Sequence, residues 1–103
     1  MIQHVVLLSL RPGVGPDDPR VAEACRLEDV LAARAAPVGE AVTPSWHFGR
    51  DVGGRPISAD FAGVGLFDSL ESLREFLDSE EHQQVVAVWG DLVDILIADL
   101  AVD

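Results

Sequence analysis

Asp60-Phe61-Ala62-Gly63-Val64-Gly65-Leu66-Phe67 runs straight into Asp68-Ser69-Leu70-Glu71, and this junction decides the fold. The first eight residues form a mostly apolar run bounded by turn residues, which predicts a strand. Asp68 and Glu71, an acceptor and an acid three residues apart, match a capping box. Leu70, Leu73, Phe76 and Leu77 follow at helical spacing. Upstream, Ser45-Trp46-His47-Phe48 alternates polar and aromatic side chains and predicts a strand over Thr43–Gly49. A loop with two glycines and a proline, Arg50–Ser58, joins the two strands. Further back, the apolar run Ile2–Leu10 before Arg11-Pro12-Gly13 predicts the opening strand. Asp18 followed by Pro19 starts a helix, because Asp caps free amides and Pro suits the first helical position. That helix is expected to reach Ala35, with Ala24, Leu27, Val30 and Leu31 on one face, and Pro37 and Gly39 end it. Downstream, a break at Asp78–Glu81 precedes a helix carrying Val85, Val88, Trp89 and Leu92. The apolar run Asp94–Val102 predicts the last strand.

The order is βαββααβ, the split βαβ or ferredoxin-like arrangement with its second helix broken in two. The expected fold class is α+β, one domain over residues 1–103, with a four-stranded antiparallel sheet and helices on one face. A sheet covered on one side leaves an apolar face bare. Two copies packed by these faces into a dimeric α/β barrel remove it, so the expected partner is a second copy of the chain. Composition agrees. A chain of 103 residues buries only about two-thirds of its unfolded surface, yet 49% of its residues are apolar. That surplus calls for a partner subunit or an internal cavity for an apolar small-molecule ligand.

Seven basic residues face eighteen acidic ones, a formal charge of −11. Such a surface repels phosphate backbones and anionic headgroups, which argues against nucleic-acid or membrane partners. No apolar run approaches the roughly 20 residues of a membrane span. The N-terminus shows no signal-peptide pattern, so a cytoplasmic protein is expected. Cys25, the one cysteine, has no partner for a disulfide within the chain and falls mid-helix, where it reads as a small buried residue.

Three stretches carry a family resemblance: Ile2-Gln3-His4-Val5-Val6-Leu7-Leu8-Ser9-Leu10, Phe67-Asp68-Ser69-Leu70-Glu71-Ser72-Leu73, and Glu81-His82-Gln83-Gln84-Val85-Val86. With the final strand, the chain resembles the stress-responsive A/B barrel domain (Dabb) family over nearly its whole length. The resemblance implies a dimeric α+β barrel. It relates the chain to plant stress proteins and to cofactor-free polyketide cyclases of the olivetolic acid cyclase type. In such a cyclase a histidine at the position of His82 is the general base of an intramolecular aldol condensation, and one at the position of His4 lines the pocket. The cyclase tyrosine falls on Phe76 and a further histidine on Phe61. The His-Pro pair usual ahead of the base histidine is replaced by Ser79-Glu80.

The residues themselves allow this chemistry. An aldol closure needs a base near neutral pH, which imidazole supplies; His82 can equally serve as a helix cap. His4 alternates with Ile2, Val6 and Leu8 on one strand face, so it needs either a buried partner or a polar ligand. Leu8, Phe61, Phe76, Val85 and Trp89 are the expected lining of an apolar pocket, with Trp46 and Phe48 as further aromatic candidates. His47 faces opposite to Trp46 and Phe48. Gly63 and Gly65 share one strand face and mark a close approach by a ligand or a partner's backbone. Asp60, Asp94 and Asp99 read as solvated or arginine-paired. The three histidines lack metal-ligand spacing, and Gly53-Gly54 lacks the setting of a phosphate loop. No metal or cofactor is expected. The sequence thus points to a cofactor-independent cyclase or lyase on a carbonyl-rich small molecule, or else a non-catalytic barrel that binds one.

Overall fold

A computed structural model describes all 103 residues. The elements are β1 (Ile2–Leu10), α1 (Pro19–Arg34), β2 (Ser45–Arg50), β3 (Phe61–Phe67), α2 (Leu70–Asp78), α3 (Glu80–Trp89) and β4 (Val93–Ala101). The order βαββααβ is as expected, and the four strands form one antiparallel sheet, β2-β3-β1-β4. The register sets His4 between Gly65 on β3 and Asp99 on β4, and Leu8 between Phe61 and Ile95. No helix is long and apolar enough to cross a membrane.

The helix ends follow from local hydrogen bonding. The Asp18 carboxylate accepts from the Arg20 backbone N–H at 2.9 Å and opens α1. At α2 the cap is Ser69, one residue past the predicted Asp68; its Oγ accepts from the Ser72 N–H, while Asp68 accepts from the Thr43 hydroxyl. The predicted break before α3 narrows to Ser79 alone. Its hydroxyl donates to the Phe76 carbonyl at 2.7 Å and accepts from the His82 N–H at 3.3 Å, so one side chain closes α2 and opens α3. Leu92 lies in the turn after α3 rather than on the helix and is fully buried there.

The buried stripe of α1 is Val21, Ala24, Glu28 and Leu31, at spacings of three and four. Val30, expected on that face, is exposed, and Leu27 is only half-buried. Two apolar clusters lie between the helices and the sheet. One gathers Leu8, Val21, Phe61, Val85, Trp89 and Leu92 with their neighbours, the other Leu31, Trp46, Phe67, Leu73 and Phe76. Cys25 packs against the first and is half-buried; burial pushes its thiol up, away from nucleophilic reactivity.

Trp46 of the same chain lies against both Gly63 and Gly65, and Gly65 is also close to Phe67 and the Ser45 carbonyl. A Cβ on Gly63 would stand 2.3 Å from the indole. One on Gly65 would meet the Phe67 ring, the Ser45 carbonyl and Trp46 at 2.7–2.9 Å. The bare strand face lets Trp46 lie flat across β3.

The helices pack over β2, β3 and β1 but leave most of β4 open. Only Val93 of that strand is buried; Leu96 is 71% exposed on the outer face and Ile97 61% exposed on the helix side. Leu7, Val64 and Leu100 add to the apolar surface of the outer face.

Candidate functional site

A cavity of about 390 Å³ opens between α1, α3 and the β1–β4 side of the sheet. Its wall is mostly apolar, with four polar exceptions: His4, Glu28, His82 and Asp99. Of the residues singled out in the sequence, His4, His82, Leu8, Val85 and Trp89 line it, as do Trp46 and Phe48. Phe61 and Phe76 do not. Phe61 is buried behind the wall, stacked on Phe48 at 5.7 Å and tilted against Trp89 at 5.3 Å. Phe76 is buried among Phe67, Trp46 and His82, where it backs the pocket without facing it. His47 points away on the exposed side of β2.

His4 reaches the cavity because odd–even alternation turns it to the helix side of β1. It is 2% exposed, and its Nδ1 lies 2.5 Å from Asp99 Oδ1 on the neighbouring strand. Asp99, read from the sequence as solvated, thus fixes this ring. With Nδ1–H donated to the carboxylate, Nε2 is the ring atom left for a ligand.

His82 is the third residue of α3 and half-buried. Burial, above all, pushes its pKa below the usual 6.5, and proximity to His4 adds to the lowering, while its surroundings at the end of α2 act in the opposite sense. The ring is therefore neutral at pH 7. A neutral imidazole keeps one ring nitrogen with a free lone pair, the form a general base requires.

Glu28 is absent from the residues singled out in the sequence, yet it lines the cavity. It is 3% exposed and accepts one hydrogen bond on each oxygen, from Trp46 Nε1 at 3.1 Å and Trp89 Nε1 at 3.0 Å. It joins the two apolar clusters at the pocket wall. Burial pushes its carboxyl above the usual range, while the two indole bonds pull the other way. The signal was present: positions 21, 24, 28 and 31 form one helical stripe in which a lone acid interrupts apolar residues.

This geometry has known relatives. The stress responsive A/B barrel domain model matches residues 2–102, and the chain belongs to that family. An uncharacterised protein of Streptomyces coelicolor is 36% identical over 99 residues, covering 96% of this chain and 97% of its own. Among solved structures, a dimeric ferredoxin-like protein of unknown function from Thermobifida fusca aligns over 98% of this chain and 90% of its own, at TM-score 0.78 and 24% identity. A hydroxynitrile lyase from Passiflora edulis aligns over 99% of this chain and 93% of its own, at TM-score 0.70 and 15% identity. These structural likenesses are likenesses of fold.

Proposed function

We propose that this protein is a cofactor-independent enzyme of the cyclase or lyase type, acting as a homodimer on an apolar, carbonyl-bearing small molecule. The observation that carries the proposal is that His4 and His82, 78 positions apart in the chain, line one apolar cavity. His82, its pKa lowered by burial and its ring set against Phe76 at the cavity wall, takes a proton from the carbon next to a substrate carbonyl. The C–H electron pair becomes an enolate. In a cyclase the enolate carbon attacks a second carbonyl of the same molecule, and the new alkoxide recovers the proton from His82. His4, fixed by Asp99, holds a substrate oxygen through Nε2. The apolar wall excludes water and strengthens each polar contact. The Passiflora protein supports the reading to the extent that the same fold serves a hydroxynitrile lyase there.

One observation favours a second reading, a barrel that binds such a molecule without turning it over. The ring against His82 is Phe76, which has no hydroxyl to share in proton transfer.

Deuterium uptake next to the carbonyl of 4-phenylbutan-2-one, followed by NMR in D₂O, separates the two readings. Wild type is expected to exceed His82→Ala by about 10²–10⁴. Equal rates from two folded proteins that both bind the ketone would leave only the binding role.

A further inference from the structure

We propose that Glu28 selects the ligand, accepting a hydrogen bond from a hydroxyl group carried by an otherwise apolar molecule. The inference rests on the reading of this cavity as a ligand site and names a chemical feature of its occupant.

A carboxylate offers about four lone-pair positions. The two indole N–H groups take one on each oxygen, which leaves acceptor capacity on both. Glu28 lines the cavity, so that capacity is within a ligand's reach. No salt bridge reaches Glu28: Arg11, Arg20, Arg26 and Arg34 pair with Asp94, Asp18, Glu23 and Glu81, and Arg50 lies over the Phe61 ring. A buried acid without a cation is costly to keep. An apolar residue would fill the stripe at less cost if packing were its only task, and the tryptophans could then be phenylalanines. The carboxyl is instead held at both oxygens, which fixes its direction. With Asp99 it also gives the cavity a negative bias, so a carboxylate ligand is disfavoured. The favoured ligand is neutral and donates a hydrogen bond.

Calorimetric titration with three compounds of one shape tests this: 4-butylphenol, which donates; 4-butylanisole, which only accepts; and 4-butylbenzoate, an anion. Wild type is expected to bind the phenol about tenfold more tightly than the anisole, and the benzoate most weakly. In Glu28→Gln an amide N–H faces the ligand and can donate to either oxygen, so the phenol-to-anisole ratio is expected to fall toward one. The chain has two tryptophans, and both touch Glu28. Wild-type ¹⁵N spectra therefore give a readout that needs no variant: both indole peaks should shift with the phenol and move less with the anisole. Binding of phenol and anisole with equal affinity overturns the selection by Glu28 and leaves the cavity reading standing. An unchanged ratio in folded Glu28→Gln, or indole peaks that respond alike to both, overturns it too. No binding of any of the three would remove the ligand-site reading and this proposal with it.

Discussion

Gly63→Ala is the substitution whose effect follows most directly from the geometry. Its methyl would sit 2.3 Å from the Trp46 indole, where carbon atoms need about 3.5 Å. The indole must therefore retreat by roughly 1.2 Å. It has nowhere to go without loss, because its Nε1 is tied to Glu28 at 3.1 Å and its rings touch His4 and Phe76. Overpacking of this kind costs about 1–3 kcal/mol. Breaking the bond to Glu28 adds about 1–3 kcal/mol. Replacing glycine returns roughly 0.4–1 kcal/mol through the unfolded chain. The net expectation is a loss of about 1–5 kcal/mol. Urea unfolding followed by circular dichroism should show the midpoint falling by about 1–3 M with little change in slope. Gly49→Ala is the control, since a Cβ there meets nothing within 4 Å in the same sheet. It should stay within about 0.5 kcal/mol of wild type. Adding Trp46→Leu to Gly63→Ala should cost less than the sum of the two single changes, because the clash is gone. Matching midpoints for the two glycine variants would refute the account of how Trp46 is seated.

Ser79→Ala removes the cap shared by α2 and α3 and should cost about 1 kcal/mol, read as a drop of several degrees in calorimetry. Leu96→Glu places a charge on the bare apolar face, and sedimentation equilibrium should show a dimer for wild type and a monomer for the variant; a monomeric wild type would defeat the assembly argument. Because burial lowers the folded-state pKa of His82, the unfolded chain binds its proton first. The stability this contributes is present above about pH 6.5 and is lost as pH falls below it. His82→Gln should flatten that part of the stability profile, and an unchanged profile from pH 5 to 7 would contradict the burial of the ring.

The fold was legible because each element carried its own local signal: apolar runs for β1, β3 and β4, the Asp18-Pro19 start of α1, and helical spacing in α2 and α3. His4 and His82 were legible as candidates chiefly through the family resemblance, with strand alternation setting His4 on the apolar face of β1 and a helix start placing His82. What stayed hidden depends on pairs far apart in the chain. Asp99 reads as one more acid until the β1–β4 register sets it beside His4. Glu28 reads as a surface acid until β2 and α3 each bring an indole N–H to it. Phe61 and Phe76 satisfy the same apolar pattern whether they face a cavity or the core behind it, and only the seating of Trp46 and Trp89 in front of them decides. The Gly63–Gly65 pair did announce a close neighbour, but the neighbour's identity lay in β2.

The edge strand β4 links the site to the expected assembly. Its side chains alternate, so Ile95, Ile97 and Asp99 turn to the cavity while Leu96, Ala98 and Leu100 lie on the opposite, bare face. The helices stop short of this strand, and the cavity opens along it. A second copy packed on the bare face would cover Leu96 and Leu100 and leave the mouth free. It would also brace β4 from behind, and with it the carboxylate that fixes His4. On the proposed assembly, dimer formation and ligand entry would use opposite faces of the same nine-residue strand without competing for a surface. On this reasoning Leu96→Glu weakens the site indirectly, through a less ordered Asp99, and its effect on ligand binding should fade when protein concentration is raised enough to restore the dimer.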